Sequence, residues 1–440
     1  VSTAAPLAPD TPGLLRRLWQ LGTSRPVLSI ADQGVVSAGN LLSVVIITRL
    51  CSRAEYGYYA LAFTLVVAFA IAQQSLITEA YKVFVHRVDG EARRRYTGST
   101  LLHQIAFAAA ASTLLALVAG AGALTGALGG VATVMAPLAA VMALVLFKEY
   151  ARQISFAHLQ PALALALDSG VALVQVAVLA ALAWTGNLSA ATAVLALGVA
   201  AGLSALGWIA ARWRAFQPVR AEALPDFRRN WVFGRWIFAY GILFTASVQS
   251  YPWILTTLHG PEATGTYGAC FMVVNLLTNP LVIGLGSFLG PKTAQAFALG
   301  GVEALAPVVA KASLFFVLAL GAFCAALFFV GGWILVLLSG EKYAGHGSVV
   351  FVLALAQLAW AYTVPANSAL YAMERGEVGF RALLFALAVT LTAGVALVWA
   401  WGPMGAAAGL LAGNFAACVY TRIVLRRHLP RGGERSMVRA

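Results

Sequence analysis

The chain has 440 residues, 61% of them hydrophobic and only 10% charged, with a formal net charge of +13. Apolar runs recur from end to end, which excludes a soluble domain on a single anchor and predicts an all-α polytopic membrane protein. Cys51, Cys270, Cys324 and Cys418 are scattered with no Cys-x-x-Cys or Cys/His cluster, so neither a disulfide, a metal site nor a cofactor is expected.

Residues 1–27 carry Pro6, Pro9, Pro12, Arg16, Arg17 and Arg25 without an apolar core, and read as a cytoplasmic segment rather than a cleavable signal. Twelve apolar runs follow, at about 28–48, 58–80, 100–120, 130–147, 162–184, 189–210, 231–257, 266–289, 308–332, 346–370, 380–401 and 403–424. Each approaches the ~20 residues that a helix needs to cross a hydrocarbon core, and each is too uniformly apolar for a barrel strand. Between the first two lies Ile47–Leu61, where Arg49, Arg53 and Glu55 mark the water boundary, Tyr56, Tyr58 and Tyr59 suit the headgroup level, and Gly57 lets the chain turn.

With the N-terminus inside, 26 of the 29 basic residues fall in inside segments; only Arg49, Arg53 and Lys342 lie outside. This asymmetry predicts that both termini are cytoplasmic. The positive charge is then topology plus attraction to anionic membrane lipids, and nucleic acid is not an expected partner. A basic inside loop at 211–230 divides a lobe at 28–210 from a lobe at 231–425, with a basic cytoplasmic tail at 426–440. The punctuation of the first lobe returns in the second: Gly57-Tyr-Tyr-Ala aligns with Gly265-Thr-Tyr-Gly between two apolar runs. Six spans separate the two, so the halves share one direction through the membrane and are related by an axis along its normal.

Polar groups in hydrocarbon need a partner or a water-filled cavity. They concentrate on the first two helices of each lobe. Gln33, Ser37 and Asn40 share one helical face; Asp32, Gln74 and Glu79 lie on spans one and two; Gln249 and Asn275 lie on spans seven and eight. Spans 1, 2, 7 and 8 are therefore expected to face a central cavity. Tyr251-Pro252, Asn279-Pro280 and Gly290-Pro291 are expected to interrupt spans seven and eight. Gly198/Gly202 and Gly405/Gly409/Gly413 read as close packing within a lobe. Lys82, Arg235 and Lys292 mark an inner mouth and Arg49 an outer one, a cationic arrangement that suits an anionic, phosphate-bearing substrate. Asp32 and Glu79 are the acids nearest the cavity and the candidates for a coupling ion.

The pattern Ala31-Asp-Gln…Asn40…Thr48-Arg-Leu…Glu55-Tyr-Gly-Tyr-Tyr-Ala-Leu resembles the polysaccharide-type flippases, called Wzx proteins, of the multidrug/oligosaccharidyl-lipid/polysaccharide (MOP) superfamily. The resemblance implies a multi-pass protein of the bacterial inner membrane. It implies a polyprenyl-diphosphate-linked oligosaccharide as substrate, moved to the periplasmic leaflet by alternating access, and a functional partnership with a polysaccharide polymerase. It implies no enzymatic activity. Two other readings stay open: a drug or cation exporter of the same superfamily, which should place acids in its cavity, and a membrane enzyme of glycan assembly, which needs a sizeable catalytic loop. The sequence carries no P-loop pattern.

Overall fold

The computed structural model describes residues 25–428, and every regular element among them is helical. The first seven long helices are α1 Arg25–Leu50, α2 Arg53–Arg87, α3 Gly90–Thr125, α4 Ala132–Ala157, α5 Pro161–Trp184, α6 Ala190–Arg212 and α7 Arg220–His259. Helical hydrogen bonding then runs over the 79 residues Pro261–Ser339, far too many for one crossing. Gly300 and Gly301 (φ 58°) leave helical geometry and divide this stretch into α8 (261–300) and α9 (301–339). After α10 (Gly347–Ala372), Gly402 (φ 53°, ψ −125°) divides 376–428 into α11 (376–401) and α12 (403–428). Both breaks fall at glycine because a left-handed φ costs it nothing sterically. The result is twelve helical segments in the order and number expected for a polytopic membrane protein.

Four boundaries differ from the sequence reading. Basic residues 211–230 are not a loop: a 3-10 turn at Trp213–Ala215 leads within four residues to α7, so Arg220, Arg228 and Arg229 ride on a helix. α4 continues past 147 to Ala157, which carries Lys148, Glu149 and Arg152 into the helix bundle. Gly57 lies inside α2; the turn is made at Ser52, whose Oγ accepts from the Glu55 amide as an N-cap. Finally, α7 and α8 run unbroken through Pro252, Pro280 and Pro291. The Pro252 carbonyl itself accepts from Thr256 Oγ1 at 2.9 Å and from Thr264 Oγ1 at 3.0 Å, which ties the end of α7 to the start of α8. The irregular backbone lies elsewhere, in π turns at Gln74–Thr78 of α2 and Thr390–Gly394 of α11. Arg16, Arg17 and the basic tail beyond 428 lie outside the described residues.

α1–α6 pack on one another, α4 against α3 and α6 and α1 against α5. In the second half α10 packs on α8–α9 and on α12, and α11 on α12. The small-residue stripes serve these contacts. A Cβ on Gly198 would strike Val141 of α4, one on Gly405 the carbonyl of Leu397, and one on Gly409 the Tyr251 hydroxyl at 2.8 Å. Both stripes are filled within their own half. The two halves meet through α1, α2 and α3 on one side and α7 and α8 on the other.

Candidate functional site

Along the seam between the halves lie two chambers, an outer one of about 290 Å³ and an inner one of about 220 Å³. Val248, Gln249, Phe271 and Asn275 line both. The outer chamber adds Ser37 and Asn40 of α1 and Tyr56, Tyr59 and Thr64 of α2. The inner chamber adds Tyr240 of α7, Gln357, Trp360 and Asn367 of α10, and Asn414 of α12. Asn275 stands at the junction, where its Oδ1 accepts from Gln357 Nε2 at 3.1 Å. No charged side chain among the described residues lines either chamber. Its polar groups are amides and hydroxyls set between aromatic faces.

The outer end is shut. Gly57 of α2 and Gly265 of α8, the aligned residues of the repeat, lie against one another, and Tyr56 packs on Gly268. Around them two cations exchange places. Arg49, at the end of α1, donates Nε–H to the Leu338 carbonyl at 3.1 Å and Nη2–H to that of Leu337, at the end of α9. Lys342, just after α9, donates to the carbonyls of Arg49 and Cys51 at the end of α1. Each half thus caps the exposed helix carbonyls of the other. Partial burial there pulls the Lys342 ammonium below the ordinary lysine value. Arg53 adds an ion pair to Glu262 at 3.1 Å. At the other end of the seam α7 touches α2, through Gly234 on the Ser75 carbonyl, and α3, through Tyr96, whose hydroxyl donates to Asn230 Oδ1 at 2.9 Å.

The residues expected to bind substrate do not converge on one point. Ser37, Asn40 and Asn275 line the chambers; Gln33 is exposed a turn before Ser37, outside the lining. Arg235 is exposed at the inner end of α7, stacked beside Trp236 at 5.7 Å, with no ion-pair partner among the described residues. Lys82 is held by Glu79 at 2.7 Å. Lys292 opens with Lys311 into a separate pocket between α8 and α9. Arg49 is in the outer latch, and Gln74 points away from the cavity to Glu149, 3.0 Å off.

Gln74 leads to a feature that the sequence reading missed. Behind the cavity, inside the first half, α1, α2, α4 and α5 bury a charge network. Arg152 of α4 reaches Asp168 Oδ2 of α5 through Nε at 2.6 Å and Asp32 Oδ2 of α1 through Nη2 at 2.8 Å. Lys148 Nζ reaches Asp168 Oδ1 at 2.6 Å, and Gln153 Nε2 donates to Glu149 Oε1 at 2.7 Å. The Asp32 and Asp168 side chains are 0% and 2% exposed. Three carboxylates face two cations here, so with every group ionised the cluster carries one net negative charge. The signal was Lys148 and Arg152 four apart on a single helical face, with Glu149 beside them. It was hidden by ending the span at 147.

A chain of this kind, two six-helix halves about a central cavity, has the architecture of a polytopic transporter. No family model and no curated relative matches it. Solved structures do. An inward-facing multidrug-resistance MATE transporter of the MOP superfamily superposes at TM-score 0.72 and 15% identity, over 91% of this chain and 98% of its own. The lipid II flippase MurJ in an inward closed conformation superposes at TM-score 0.72 and 10% identity, over 91% and 87%. An outward-facing MATE transporter of the superfamily fits less well, at TM-score 0.60 and 14% identity over 91% and 94%. The fold is therefore that of the MOP-superfamily transporters.

Proposed function

We propose that this protein is a flippase for a polyprenyl-diphosphate-linked oligosaccharide, working by alternating access in the bacterial inner membrane. The observation that carries the reading is the lining of the two chambers: amides and aromatic rings without a single carboxylate or cation among the described residues. Amide pairs and aromatic faces bind sugar hydroxyls and sugar rings, and no carboxylate is there to neutralise a bound cation. The acids at membrane depth are all committed elsewhere, Asp32 and Asp168 to Arg152 and Glu79 to Lys82. A lining without a counter-charge favours an uncharged glycan over a cationic drug. The likeness to MurJ, which its name describes as a lipid II flippase, is in keeping with a lipid-linked cargo.

In this reading the isoprenoid tail stays in the bilayer while the glycan enters the chambers. Arg235, free of any carboxylate, meets the diphosphate at the inner mouth. Arg49 and Lys342 are bound to helix carbonyls while the outer end is shut. Opening releases them to face the outgoing diphosphate, so the cargo makes different contacts in the two states, as any ligand that biases an equilibrium must. The test is restoration of glycan export in a strain lacking its flippase, with protein levels checked. Asn275→Ala and Gln249→Ala should each reduce export severalfold at normal abundance. Full export by the double variant would overturn the reading, as would export of cationic dyes by the wild-type protein at rates that outpace glycan.

A further inference from the structure

On the outer surface of the second half, α9, α10 and α12 enclose a groove of about 570 Å³ that no part of the transport reading uses. Its walls are Val317, Leu358, Leu411, Phe415 and Val419, and Phe415 is 60% exposed. Only at its cytoplasmic end is it charged, by Arg422 and Arg426, one turn apart on α12. Arg422 is rigidly held. Its guanidinium lies 3.7 Å from the centre of the Tyr362 ring, and Nη2 donates to Ser313 Oγ and to the Tyr362 carbonyl, each at 2.7 Å. Nη1 has no protein acceptor, and no carboxylate pairs with either arginine among the described residues. A fixed cation at the membrane edge with unused donors calls for an anion.

The polarity of the groove says which one. Leu411 to Arg426 covers about 22 Å of helix, the depth of one leaflet from mid-bilayer to headgroup. The apolar end lies at mid-membrane and the arginines lie at the inner surface. We infer that this groove binds an anionic phospholipid of the cytoplasmic leaflet, its phosphate on Arg422 and Arg426 and an acyl chain along Val419, Phe415 and Leu411. Basic pockets between helices on the cytoplasmic side recognise such headgroups. The polyprenyl substrate is the poorer occupant. Leu410, Asn414, Ala417 and Thr421 of α12 face the inner chamber, whereas Leu411, Phe415, Cys418 and Arg422 face the groove. The helix itself stands between the two. The inference does not rest on the identity of the cargo.

Native mass spectrometry of the purified full-length protein with phosphatidylglycerol or phosphatidylcholine of identical chains tests it. The wild type should retain phosphatidylglycerol. Arg422→Gln/Arg426→Gln should retain it about tenfold more weakly, for the loss of charge-assisted contacts. Val419→Trp, which fills the groove and leaves both arginines and their bonds in place, should also weaken retention, so the result survives if the double variant folds poorly. Equal retention of the two lipids, or unchanged phosphatidylglycerol retention by Val419→Trp, would overturn the inference. Displacement of phosphatidylglycerol by an equimolar polyprenyl phosphate would overturn it in favour of the substrate lipid.

Discussion

Gly57 and Gly265 occupy equivalent places in the two halves and meet across the seam. A Cβ added to Gly57 would overlap the Pro261 carbonyl and come within 3.1 Å of the Gly265 amide nitrogen; one added to Gly265 would overlap the Arg53 carbonyl and come within 3.2 Å of the Gly57 nitrogen. The obstacles are backbone, which cannot swing aside as a flexible side chain can. Closing the outer end therefore requires that both positions lack a side chain. The repeat seen in the sequence is a contact in the fold, two copies of one motif packed on each other across the seam, and in the proposed transport cycle it would be the outer gate.

Gly57→Val or Gly265→Val should prevent outer closure and hold the protein open to the outside. A cysteine at Ser43, buried beside the outer chamber, should become reactive to an impermeant thiol reagent in either variant, and export should fall at least tenfold. A Ser43→Cys site that stays protected in both valine variants would show that the glycines are not the closing contact.

The latch formed by Arg49 and Lys342 predicts a graded version of the same effect. Hydrogen bonds from a charged donor contribute about 1.5–3 kcal/mol each. Removing both charges should shift the gate toward opening by about 3 kcal/mol, on the order of a hundredfold in population. Arg49→Gln/Lys342→Gln should raise labelling of the Ser43→Cys site without lowering protein abundance. Labelling at the wild-type rate would assign these cations to topology alone.

Much of this architecture was legible in the sequence because its signals are long or repeated. Twelve apolar runs and the Lys/Arg asymmetry needed no tertiary knowledge, and the motif at Gly57 and Gly265 appears twice. What was not legible depends on contacts between distant segments. Pro252 looks like a break and is not: α7 runs through it to His259. Lys148 and Arg152 look like cytoplasmic flanks and are not, because α4 extends another ten residues past 147 and finds Asp32 and Asp168 waiting on α1 and α5. The cavity wall contributed by Gln357, Asn367 and Asn414 was missed for a related reason: isolated amides on α10 and α12 make no stripe until the bundle brings them together.

The side assignment is open to a direct measurement. Asn187, in the α5–α6 turn, and Ala221, in the first turn of α7, are both exposed. The Lys/Arg asymmetry predicts Ala221 in the cytoplasm and Asn187 outside. Single cysteines at the two positions should label from opposite faces of intact cells. Labelling from one face at both would reverse the orientation of one half and with it the proposed direction of transport.

The buried network of the first half offers the sharpest test of coupling, because its two aspartates differ in what they hold. Asp168 contacts both cations, Arg152 and Lys148, each at 2.6 Å. Asp32 has Arg152 as its one cation, through Oδ2, lies beside the Asp168 carboxylate, and its Oδ1 meets no donor. Asp168→Asn removes the carboxylate between two buried cations. Leaving a buried charge without its partner costs about 3–5 kcal/mol, so this variant should lose thermal stability and abundance. Asp32→Asn instead leaves two carboxylates facing two cations, a neutral cluster that mimics protonation at the one aspartate oxygen free to accept a proton. It should fold at normal abundance, because Asp168 keeps both cations and the contact between two carboxylates is relieved. If Asp32 carries the coupling proton, glycan transport into proteoliposomes by this variant should no longer respond to an imposed proton gradient, while Glu79→Gln, which only frees the surface-edge Lys82, should still respond. A gradient response that persists undiminished in Asp32→Asn would reduce the network to a structural brace, and the energy for transport would then have to come from elsewhere, such as removal of the glycan on the far side.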